Sequence, residues 1–124
     1  MRVELDPVLA EVSTARRFVR SNLTGVPDAV ASDAQLVASE LVTNAIEHGA
    51  GGPVTMSVHF GDDAVAVTVE SVGPAPGVGA VDDWRSADAD EITGRGLGIV
   101  RAVADEVSVT RSPGRLVITA SILV

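Results

Sequence analysis

The hydrophobic period of this chain changes sharply after its longest helical stripe. Val30, Ala34, Val37, Leu41 and Ala45 fall on one stripe of a long helix, after which Val54, Met56, Val58 and Phe60 alternate with Thr55, Ser57 and His59. A period near 3.6 marks a helix with one buried stripe and a period of 2 a strand with one buried face. Gly61-Asp62-Asp63 turns the chain and Val65, Val67 and Val69 alternate again, which predicts an antiparallel hairpin with one buried face. Aromatic residues make up only 2% of the chain against 46% hydrophobic residues, so the core must be built from Val, Ala, Leu and Ile. A layered fold of helices on a sheet suits such a core.

The remaining elements follow from the same patterns. Asp6-Pro7 is a start signal for a first helix carrying Val8, Val12, Ala15 and Val19 and ending near Leu23-Thr24-Gly25. Val26-Pro27-Asp28 opens the long helix and Gly49 stops it. Leu97, Val100, Val103 and Ala104 predict a short helix, Val107 and Val109 a strand, Ser112-Pro113-Gly114 a turn, and residues 116–124 a last strand. Between Ser71 and Thr93 the composition shifts to Gly, Pro, Ala and Asp around Trp84, and a loop of this length is usually a functional lid or disordered. With 124 residues the chain is expected to form one domain.

Charge and composition narrow the function. A net charge of −8 opposes nucleic acid and anionic lipid, so neither DNA, RNA nor a membrane is expected as a partner. No apolar run approaches the roughly 20 residues that cross a bilayer. The N-terminal residues also lack the apolar stretch of a signal peptide, so the expected location is cytoplasmic. There is no cysteine, which removes thiolate metal sites, and all nine cationic residues are Arg, which removes a lysine-based phosphate grip. Arg16, Arg17 and Arg20 form either a solvated helix face or a partner-docking patch.

Two motifs carry chemistry. Glu40, Asn44 and His48 recur every four residues and can line one edge of the long helix. A carboxylate and an amide oxygen are hard ligands that suit Mg²⁺ shared with phosphates, although an amphipathic helix with a polar edge reads the same way. Gly94-Arg95-Gly96-Leu97-Gly98 stands directly before an apolar helical run. It can present free N–H groups and a positive dipole end to a phosphate, with Arg95 supplying charge, or it can be a mobile hinge.

The order of these parts, E-x-x-x-N-x-x-x-H on a long helix, a hairpin, a loop, G-x-G-x-G, a helix and a closing hairpin, resembles the histidine-kinase-like (GHKL) ATPase superfamily. Within it the chain is similar to the small anti-sigma-factor serine kinases over nearly its whole length, with residues 39–49 matching the N box and 94–100 the second glycine box. The resemblance implies an α+β two-layer sandwich, a mostly antiparallel sheet with helices on one face. It implies a single domain over 1–124 with a lid over about 72–94. It also implies ATP and Mg²⁺ as cofactors, Glu40 as general base and Asn44 as metal ligand, with His48 and Arg95 near the phosphates. Backbone N–H groups of Gly96, Leu97 and Gly98 would hold the triphosphate. Implied partners are a sigma factor and an antagonist protein whose serine is phosphorylated, and related small kinases often dimerise, so a homodimer is admitted.

Two positions depart from the family pattern. Where the family has a D-x-G box whose aspartate accepts a hydrogen bond from the adenine amine, this chain has Ser71-Val72-Gly73. Alternation puts Glu70 on the opposite face, so it does not replace that aspartate. Where the family usually has a threonine that supports adenine, this chain has Leu116. Both departures affect base recognition, which opens a second reading, a non-catalytic binding module with weak or lost ATP binding.

Overall fold

The computed structural model describes residues 1–49, 51–73 and 92–124, with side chains described for all of these except 92–95. Among the described residues, five strands and three helices follow one another as β1 (Arg2–Leu5), α1 (Glu11–Asn22), α2 (Asp28–His48), β2 (Val54–Phe60), β3 (Ala64–Val72), α3 (Ile92–Val103), β4 (Glu106–Ser112) and β5 (Arg115–Leu123). The strands form one antiparallel sheet in the order β1-β2-β3-β5-β4. Val54, Met56 and Val58 of β2, Val65, Val67, Val69 and Ser71 of β3, and Leu116, Ile118, Ala120 and Ile122 of β5 are all buried. In period-2 strands these share one face, and the helices lie on it. This is the α+β two-layer sandwich that the resemblance implies.

Helix α2 is the central beam. Ala34, Val37, Ala38, Leu41, Val42 and Ala45 are buried along it, and Gly49 ends it with its N–H donating to the Ala45 carbonyl at 2.9 Å. Glycine is required there, because a Cβ on Gly49 would run into the Ala45 carbonyl oxygen and lie 3.5 Å from that of Val72. The contact brings the C-terminus of α2 to the end of β3.

Several boundaries differ from the sequence expectation. Strand β1 is not signalled by its four residues; it forms because Arg2 to Leu5 pair with Ser57 to Val54 along the edge of β2. The first helix starts at Glu11 rather than at Asp6-Pro7, where tight turns close through Val8 N–H to the Asp6 carbonyl and Glu11 N–H to the Val8 carbonyl. Val8 therefore leaves the buried stripe and is half exposed. Phe60, at the tip of the hairpin, is 45% exposed instead of continuing the buried face. Helix α3 starts at Ile92, before the glycine run rather than after it. Of the lid expected over 72–94, Val72 closes β3 and 92–94 open α3, while 74–91, Trp84 included, lie outside the described residues. Among the described residues no helix is long and apolar enough to cross a membrane.

Candidate functional site

Asn44 and Ser71 are the two buried polar side chains among the described residues, at 5% and 3% exposure. Neither side chain has a hydrogen-bond partner there. Their polar atoms are not among the fully enclosed ones that lack a hydrogen bond, so both stay accessible to a ligand. One turn before Asn44 on α2 stands Glu40.

Glu40 faces α3 at close range. A Cβ added to Gly96 would lie 2.5 Å from the Glu40 Oε2 atom, so only glycine lets α3 approach the carboxylate without displacing it. Burial holds the Glu40 carboxyl above its ordinary pKa of 4.5, and the Glu47 carboxylate adds to the rise. Loss of hydration penalises the charged form, and a like charge penalises it further. Glu47 is exposed and was not singled out by the motif, although a seven-residue spacing returns to the same helix face and signals it.

His48 lies two turns beyond Glu40, about 12 Å along the axis. It sits where α2 meets β3, and its Nε2 atom is buried without a hydrogen bond among the described residues. The structure therefore places His48 where α2 meets the end of β3, and Gly96 beside Glu40 two turns earlier on α2. Ser39 Oγ is also buried without a partner there.

The glycine run behaves differently from its sequence reading. With α3 starting at Ile92, the N–H groups of Gly96, Leu97 and Gly98 fall inside the helix and point along its axis toward carbonyls four residues back, so the free amides belong to the first turn, 92–95. Three glycines cost a helix about 1 kcal/mol each relative to alanine. Leu97 and Val100, both buried, anchor α3 to the core. Gly94 and Arg95 lie in its first turn, and the Arg95 side chain is outside the described set.

At the other end, Ser71 of β3 stands in register with Leu116 of β5, both on the helix-covered face. Glu70 is on the open face, where Arg115 Nη1 donates to its Oε1 at 2.6 Å, so it cannot serve as the missing aspartate. Gly73 takes φ 105°, a value that favours glycine, and its N–H donates to the Gly114 carbonyl at 2.9 Å. That bond fixes the end of β3 against the β4–β5 turn. On α1, Arg16, Arg17 and Arg20 are exposed.

Helix α2 thus joins a carboxylate packed on a glycine, a buried amide side chain and, at the strand ends, a buried serine. The donor set fits a magnesium ion held jointly with phosphate oxygens, since Mg²⁺ is usually bound through one or two protein oxygens and keeps several waters. Among solved structures, that of the RsbU and RsbW domains of Rv1364c from Mycobacterium tuberculosis matches this fold with a TM-score of 0.68 at 20% sequence identity. The match covers 99% of this chain and 31% of that one, so this chain spans about a third of its length. No curated protein matches the sequence at a significant level. The sequence matches the histidine kinase-like ATPase domain over residues 5–122, and the chain belongs to that family.

Proposed function

We propose that this chain is a regulatory protein kinase of the anti-sigma-factor type, which binds Mg-ATP along α2, transfers its γ-phosphoryl group to a serine of an antagonist protein, and sequesters a sigma factor. The observation that carries the reading is the buried Asn44 side chain one helical turn from a Glu40 carboxylate held against Gly96. The family supports the ATP, and the RsbW domain in the structural neighbour supports the anti-sigma context.

In this reading the Asn44 side-chain oxygen would be the protein ligand to the metal. A magnesium ion held there would supply charge screening for the phosphates. Glu40 accepts the proton of the attacking serine hydroxyl as the serine oxygen bonds to phosphorus and the bond to ADP breaks. A carboxylate with a raised pKa is a stronger base than an ordinary one, which favours this role. Leu97 and Val100, buried against the core, hold α3 so that Gly96 keeps the carboxylate in place.

A second reading has its own observation. Ser71 and Leu116 replace the charged and hydroxyl groups that would hold adenine, which favours a binding module that keeps the fold and partner surfaces with weak nucleotide binding. ADP release from Mg-ATP, with water as acceptor, separates the two. The kinase reading predicts slow turnover that Glu40→Ala abolishes while ATP still binds. Turnover unchanged in Glu40→Ala would remove Glu40 as the base, and no turnover in the folded wild-type protein would favour the binding module.

A further inference from the structure

We infer that the base end of this pocket does not discriminate between a 6-amino and a 6-oxo purine, so that the chain takes Mg-GTP about as well as Mg-ATP. The inference rests on the nucleotide site proposed above and concerns which nucleotides enter it.

The argument starts from the paired positions Ser71 and Leu116, cross-strand partners buried at 3% and 2% exposure on the helix-covered face. A carboxylate at position 71 would be an acceptor only. It would bond a 6-amino group and repel a 6-oxo group, and this difference is what makes an acidic side chain selective for adenine. A serine hydroxyl carries one hydrogen and two lone pairs and rotates to suit, so it accepts from an amine or donates to a carbonyl. No neighbour fixes its direction, because the Ser71 side chain has no hydrogen-bond partner among the described residues.

The surroundings on these strands do not restore the selectivity. Glu70, the adjacent carboxylate on β3, faces the other way and is held by Arg115 at 2.6 Å. Leu116 offers only apolar contact, which accepts the edge of either ring. Asn44 and Glu40 lie one and two turns further from this end than His48, on the side assigned to metal and phosphate, and respond to the triphosphate rather than to the base. Affinity then comes mainly from groups that ATP and GTP share.

The test is calorimetric titration of the full chain with Mg-ATP and Mg-GTP, repeated on Ser71→Asp and Ser71→Ala. The inference predicts dissociation constants for ATP and GTP within about fivefold of each other in the wild type. In Ser71→Asp the ratio should move at least about tenfold toward ATP, because a charged acceptor is restored. A buried carboxylate could prevent folding, and Ser71→Ala covers that case by weakening both nucleotides by similar factors. A wild-type preference for ATP above about thirtyfold, or a Ser71→Ala loss confined to ATP, would overturn the inference while leaving the nucleotide site in place. Absence of binding by either nucleotide at millimolar concentration would overturn the site and this inference together.

Discussion

Glu40 and Gly96 form a pair in which each residue's identity depends on the other. Gly96→Ala would add a Cβ 2.5 Å from Oε2, and the far end of the Glu40 side chain can swing aside to admit it. Alanine also raises helix propensity by about 1 kcal/mol. The denaturation midpoint is therefore expected to change by no more than about 1 kcal/mol equivalent, while ADP release falls roughly 10²-fold because the base is displaced by about an ångström. A pH effect follows from the same carboxyl. Its folded pKa is raised above 4.5, so between 4.5 and that higher value the native state binds more protons than the unfolded chain, and stability falls as pH rises through the window. Urea midpoints of Glu40→Gln should lose this slope, and those of Glu47→Gln should keep a reduced one. Asn44 presents the opposite trade. It is 5% exposed among apolar neighbours on α2, so Asn44→Leu, which adds buried apolar surface, should raise unfolding free energy by about 1 kcal/mol in urea. A loss of that size instead would mean that the amide has a structural role.

At the scale of elements, α2 decides both stability and site geometry. Leu41, 1% exposed between Glu40 and the sheet, should cost about 2 to 5 kcal/mol on replacement by alanine, measured by denaturant unfolding with an unchanged slope. The long helix, the hairpin and the buried face of β5 were legible because their periodicities are unbroken, down to Ser71 and Leu116 facing inward and Glu70 outward. The edge strand β1 was not, since four residues hold too little pattern and its pairing with β2 is a tertiary event. Helix α3 was misplaced at its start for a related reason. Local propensity treats Gly94, Gly96 and Gly98 as breakers, whereas burial of Leu97 and Val100 and close approach to Glu40 carry the helix through them. The spacing gave Glu40, Asn44 and His48 one helix edge, but only the contact of Gly49 with Val72 shows that His48 belongs to the strand end of that edge.

Across the whole molecule, the C-terminal half of α2 is asymmetric. Glu40 and Asn44 stand two turns and one turn before its end, with Gly96 of α3 beside Glu40, and form the part proposed for metal and phosphate. The part proposed for the base has a serine, a leucine and a histidine whose Nε2 is unpartnered among the described residues. The molecule should thus bind nucleotide through its phosphates, weakly and only with the ion. Titration calorimetry of the wild type and Asn44→Ala with ATP, with and without Mg²⁺, tests this most directly. The account predicts wild-type binding weaker than micromolar that requires Mg²⁺ and disappears in a folded Asn44→Ala protein. Binding that persists without Mg²⁺ or is unchanged in Asn44→Ala, or no binding at millimolar ATP, would contradict it.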